Sequence, residues 1–271
     1  MFVLLTVFPL VLIGLISYIK SSNIVSERAY SLAQIKTSQI TREIDVLFQD
    51  IHRFNEIGKQ QSTVQFLLHQ EETYDEAKEI LSLFDFYQKS YLSGEDIFDI
   101  EIMNLEGKTI SHNKGVYQRT DINTEEWLTE DPTQAQMKII YRNGFPILEV
   151  TNAIVWDITD SVIGLLRITI DASVITSVLD DVTLTESSFF FITSTNRDIF
   201  FQQKQRNAAD NDYFNLDRIS AKEQGYYTDG GTFYVYETSK MTDWKVIGQA
   251  PLHEIMKDSN EIRSLIFLTV I

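Results

Sequence analysis

The sequence predicts an α+β chain in which a long N-terminal stalk helix backs two antiparallel-sheet lobes, flanked by transmembrane helices. Three observations carry this. An uncharged apolar run opens the chain, a helical periodicity continues from it to about residue 68, and the pattern then switches to period two in two separate stretches.

The 271 residues, 44% of them hydrophobic, are enough to bury one large core or two modest ones. A formal net charge of -16 repels phosphate backbones, so nucleic acid is excluded as a partner. The absence of cysteine removes disulfides, thiolate metal sites and sulfur redox chemistry other than methionine oxidation.

From Met1 to Ile19 no residue is charged, and Thr6, Pro9, Gly14 and Ser17 are the only interruptions. This approaches the roughly 20 residues that span a hydrocarbon core, and Tyr18 and Lys20 stand where interfacial anchors belong. The run exceeds the apolar region of a signal peptide, and no basic segment precedes it. The sequence again turns apolar after Arg263 and stops at Ile271, which reads as a second span cut short. The expected division is therefore a membrane helix over 1–19, a stalk helix over 20–68, lobes over 69–182 and 183–255, and a helix over 256–271 entering the second span.

Within the stalk, Ile40, Ile44, Leu47, Ile51 and Phe54 recur at spacings of four and three, a helix face or a short heptad seam. That seam suggests a homodimer. A second helix over Tyr74 to Tyr91 puts Ala77, Ile80, Leu81 and Phe84 on one side and acidic residues at its start. Phe98, Ile100 and Ile102 then alternate with Asp99 and Glu101 as a strand, with a second strand near Thr109 to Ser111. After a polar crossing from His112 to Ala135, Asn143 and Gly144 mark a hairpin, and another strand covers Val162 to Ile170. Asp171 is placed to cap a following helix. The second lobe repeats the order with strands near Ser188 to Thr193 and Ile199 to Gln202, a hairpin turning at Asp229 and Gly230, and a last strand in DWKVIGQA.

With the apolar span, its LISYIKSS exit, IGLLRITIDASVI at Ile163 to Ile175 and TSKMTDWKVIGQAPLHEI at Thr238 to Ile255, the chain resembles a double Cache sensor domain over nearly its whole length. The span and its exit are most similar to YesM-type sensor histidine kinases, with chemoreceptors the second choice. The resemblance implies that the two antiparallel-sheet lobes are of the PAS-like type and form a small-molecule input domain in the cell membrane, with residues of about 20–263 extracytoplasmic, ligand bound in the membrane-distal lobe and a relay to the second membrane helix. A surface-anchored module reading a solute-binding protein is the alternative of a different class.

Aromatic walls with a few directed polar groups characterise small-molecule pockets. The candidate ligand-binding residues are Tyr117, Arg119 and Trp127 in the polar crossing, with Tyr141, Arg142 and Asn152 on the strands beyond. Amino-acid-binding members of the resembling family carry an Arg before a Trp-Tyr pair and an Asp further on. Here Glu125 and Glu126 precede Trp127, Leu128 follows it, and Arg142 stands near the expected Asp. The clamp is not met, and a carbohydrate or another neutral molecule becomes the expected ligand. No cofactor or catalytic residue is expected, nor is a metal: His253 and Glu254 lack a second histidine at Lys257, and Asp210, Asp212 and Asp217 lack the glycine and glutamate of a calcium loop.

Overall fold

The computed structural model describes residues 2–69, 74–91, 96–120, 135–194, 199–203 and 222–257. Two compact units emerge, one from Val46–Ile175 and one from Met1–Asp45 with Thr176–Ile271. The divisions fall inside two helices, α1 (Phe2–Arg53) and α5 (Ser173–Asp180). The apolar opening run lies in α1, and among the described residues no helix is long and apolar enough to cross a membrane.

The first lobe contains the end of α1, the short helices α2 (Asn55–Gly58) and α3 (Gln61–Leu68), and α4 (Tyr74–Ser90). Its six-stranded sheet comprises β1 (Ile97–Asn104), β2 (Lys108–Ser111), β3 (Gly115–Gln118), β4 (Gln136–Arg142), β5 (Phe145–Trp156) and β6 (Ser161–Asp171). The order is β3-β2-β1-β6-β5-β4, antiparallel throughout. One face is apolar, with Ile100, Ile102, Leu166, Ile168, Leu148 and Val150 all buried. Helices α2 and α3 close on it. A Cβ at Gly58 would stand 3.0 Å from Ile154, and one at Gly164 would meet Leu67 at 2.7 Å and the Met103 carbonyl at 2.6 Å.

The second lobe pairs β7 (Phe189–Thr193), β8 (Ile199–Gln202), β9 (Gln224–Asp229), β10 (Thr232–Thr238) and β11 (Lys245–Pro251) in the order β8-β7-β11-β10-β9, followed by α6 (Leu252–Ile255). On one face Phe233 and Val235 pack with Ala33 and Tyr30 of α1 and with Leu252 and Ile255. The Tyr30 and Phe233 rings stack 5.1 Å apart. Trp244, 6% exposed, packs on Phe201 as a core residue.

Four differences from the sequence reading have physical reasons. The stalk helix ends at Arg53 rather than near residue 68, and the helical path continues as the separate helices α2 and α3, which the extended backbone of Gln60 (ψ 144) divides from each other. The expected dimer seam is internal: Ile40, Ile44, Ile51 and Phe54 are at most 2% exposed and Leu47 9%, all within one chain. The polar crossing contains a strand, β3, whose single large apolar pair, Val116 and Tyr117, gives too short an alternation to register. In the second hairpin the turn is Gly230-Gly231, both at positive φ, with Asp229 still paired to Thr232.

Asp171 does cap α5: its Oδ1 accepts the Ser173 N–H at 2.8 Å. Asp171→Ala is expected to lower stability by about 1 kcal/mol, read as a shift in the urea midpoint. In the second lobe, the Ser187 hydroxyl and the Ser187 N–H, the latter at 3.1 Å, hold the Glu254 carboxyl at about 2 against its ordinary 4.5. Because the folded value is the lower one, the stabilisation is complete above the ordinary value and is lost as pH falls towards the folded one. The melting-temperature gap between wild type and Glu254→Gln should be present near neutral pH and close at strongly acid pH.

Candidate functional site

Directly paired residues of antiparallel strands project to the same face. The register therefore sets Ser111, Glu101, Arg167, Thr151 and Gln136 in one row across β2, β1, β6, β5 and β4, on the face opposite the apolar one. Thr109 and Tyr117 lie beside it on β2 and β3. This face is polar yet buried: Glu101 is 6% exposed, Thr151 4%, Thr169 6%, and Thr109 and Ser111 are fully enclosed.

Burying a carboxylate is costly unless it is paired and hydrogen-bonded. Glu101 meets that condition. The Tyr117 hydroxyl donates to Oε1 at 2.6 Å, and Arg119 donates from Nη1 to Oε2 at 3.1 Å. Arg167 Nη1 stands 3.9 Å from the same Oε2, an ion pair beyond hydrogen-bond length. Burial, reinforced by the Glu101 carboxylate, pushes the Tyr117 phenol up to about 12, so it remains a donor at neutral pH. The Arg167 Nε is buried and has no hydrogen-bond partner among the described residues.

Neighbouring groups hold the cluster in shape. Asp99 accepts from the Ser111 hydroxyl at 2.8 Å and from the Ile100 N–H at 2.9 Å, fixing the β1–β2 end. Gly107 sits in the β1–β2 turn at φ +97, and its carbonyl accepts the Arg119 N–H at 2.8 Å. The turn thus positions the guanidinium that reaches Glu101.

Of the residues singled out from sequence, Tyr117 and Arg119 are brought together. Asn152 pairs with Leu166 and projects to the helix-backed face. Tyr141, 71% exposed, and Arg142 occupy the end of the β4–β5 hairpin, around the turn residues Asn143 and Gly144. Trp127 lies outside the described residues. Glu101 and Arg167 are the additions. The available signal was a lone cation inside IGLLRITI, where Leu165, Leu166 and Ile168 surround Arg167.

The corresponding face of the second lobe differs in chemistry. Phe191, Tyr236 and Ile247 are buried there with Phe189, Tyr227 and Tyr234 against them, and the Tyr227 and Tyr234 rings stack 4.7 Å apart. It is an aromatic core, whereas the first lobe presents directed charge.

No protein-family model matches the chain, and no curated protein matches it in sequence. Solved structures do. The extracellular domain of vpHK1S-Z8, named as a histidine kinase, superposes with a TM-score of 0.63 at 13% identity, over 86% of this chain and 96% of its own. The periplasmic sensory domain of the Campylobacter jejuni chemoreceptor Tlp1 gives 0.61 at 12% identity, over 86% and 98%. The ligand-binding domain of Campylobacter jejuni Tlp3 in complex with L-valine gives 0.55 at 12%, over 86% and 98%. The chain has the fold of the extracellular sensor domains of histidine kinases and chemoreceptors. That is the architecture the double Cache resemblance implies, a long N-terminal helix with two antiparallel sheets.

Proposed function

We propose that this chain is the extracytoplasmic small-molecule sensor of a bacterial transmembrane receptor, with a two-component histidine kinase as its output. The supporting observation is the likeness of 86% of the chain to sensor domains, one of them solved with a bound amino acid. Fold alone does not name a function. The buried polar face of the first lobe adds a place where a ligand can meet directed side chains, centred on Glu101, Arg119, Arg167 and Tyr117.

In this reading Met1 to Ile19 anchors the chain in the membrane, the first lobe is the ligand-reading one, and the second lobe passes the change to the residues after Lys257. A ligand that binds the folded state alone raises its stability by mass action. Thermal denaturation of the full chain in mild detergent, against sugars, amino acids and organic acids, tests the sensor reading; no stabilisation by any of them counts against it. The codons after Ile271 test the output module, since a kinase, a chemoreceptor and a cyclase signal different downstream sequences.

The receptor works as a homodimer in this reading, through the outward side of α1. Leu32 is 55% exposed, Ile35 61% and Val46 52%, and their spacings of three and eleven fit the two apolar positions of a heptad. Ile35→Lys is expected to lower the dimer fraction in sedimentation, with the far-UV spectrum unchanged. A monomeric wild type in detergent at high concentration would contradict the homodimer.

A further inference from the structure

We infer that the first-lobe site recognises a small carboxylate, and that Glu101 is an internal carboxylate which the ligand displaces from the arginines. This rests on the sensor reading and names the ligand class of the same site. It also reverses the neutral ligand expected from the sequence.

Charge at the centre of the cluster carries the argument. Two guanidiniums, on side chains only 21% and 15% exposed, share one carboxylate oxygen, Glu101 Oε2, at 3.1 and 3.9 Å. Asp99 lies on the same face, two residues along β1, but its oxygens are engaged by Ser111, Ile100 and Asn113. Arg167 meanwhile keeps a buried Nε–H without a hydrogen-bond partner among the described residues, and its contact with Glu101 is longer than a hydrogen bond. A buried donor left unpaired is costly, and the Nε edge of a guanidinium accepts a carboxylate in the two-bond geometry that a single distant oxygen cannot provide.

An incoming carboxylate on Arg167 would satisfy that donor and compete with Glu101 for the shared positive charge. Tyr117 stays protonated and retains the released Glu101 through its own bond to Oε1, which leaves Arg167 to the ligand. Glu101 then acts as a built-in competitor. It fills the clamp when ligand is absent and sets a threshold on ligand concentration. A neutral sugar or amide offers no charge to exchange for Glu101 and leaves the pair as it stands.

The test titrates the full chain in mild detergent with formate, acetate, lactate and pyruvate, and with the matching amides, by calorimetry and thermal denaturation. Wild type should respond to at least one acid and to none of the amides. Glu101→Gln, which keeps an acceptor for Tyr117 and Arg119 but removes the competing charge, should bind that acid about tenfold more tightly, a difference of about 1.4 kcal/mol. Arg167→Gln should abolish the response. Amides binding as well as acids, or Glu101→Gln leaving acid affinity unchanged or weaker, overturns the inference while the sensor reading stands. The acid and amide comparison in wild type decides the ligand class even if a variant fails to fold. No response to any acid overturns the inference, and the broader sugar and amino-acid screen then decides whether the sensor reading falls with it.

Discussion

Glu101→Ala is expected to destabilise the first lobe by about 3 kcal/mol, the low end for removing one member of a buried ion pair. It leaves the Tyr117 hydroxyl and two guanidiniums without their shared acceptor. The low end applies because the Arg119 and Arg167 side chains keep 21% and 15% exposure, so water reaches part of both charges. Glu101→Gln should cost clearly less, since it preserves an acceptor. Urea denaturation followed by tyrosine fluorescence and far-UV ellipticity measures both. Equal losses for Ala and Gln would mean that the network is held by charge alone, and a loss below about 1 kcal/mol would mean that it is effectively solvated.

Gly107→Ala should be at least as damaging, at about 3 kcal/mol or more, because two effects coincide. The residue sits at φ +97, where an L side chain is strained, and an added Cβ would stand 2.2 Å from the Arg119 carbonyl oxygen. Backbone cannot yield as a flexible side chain can, so the strand leaving the turn must move. Its first casualty is the Arg119 N–H bond to the Gly107 carbonyl, and with it the guanidinium's reach to Glu101. The variant is therefore expected to lose both stability and any ligand response. Gly115→Ala is the control: that glycine also has positive φ, +71, but nothing lies within 4 Å of its added Cβ. A loss no larger at Gly107 than at Gly115 would show that the close approach to Arg119 carries no energetic weight.

The strands and turns were legible where local chemistry decides them. Asn143-Gly144 turns the β4–β5 hairpin with both residues at positive φ, and the Asp171 carboxylate caps α5. The site was legible only in part, because a strand's alternation tells which side chains share a face but not whether water reaches it. Glu101 alternates with Ile100 and Ile102 and so reads as a solvent-facing residue, yet the face it shares is itself buried. The seam from Ile40 to Phe54 failed for the related reason that periodicity locates an apolar stripe without saying what covers it. Tyr117 and Arg119 were found from composition, but their common partner stands sixteen and eighteen residues earlier and is joined to them only by the sheet register.

The points at which the chain divides carry a consequence for biosynthesis. The first lobe is one uninterrupted segment, Val46–Ile175, whereas the second is assembled from Met1–Asp45 and Thr176–Ile271. During vectorial synthesis the first lobe has all its strands as soon as Ile175 has emerged and can fold as a unit. The second must hold Ala33 and Tyr30 uncovered until Phe233 arrives, a long wait for an apolar helix face. Translation order thus makes the inserted lobe the early folder and the discontinuous lobe the step most exposed to misassembly.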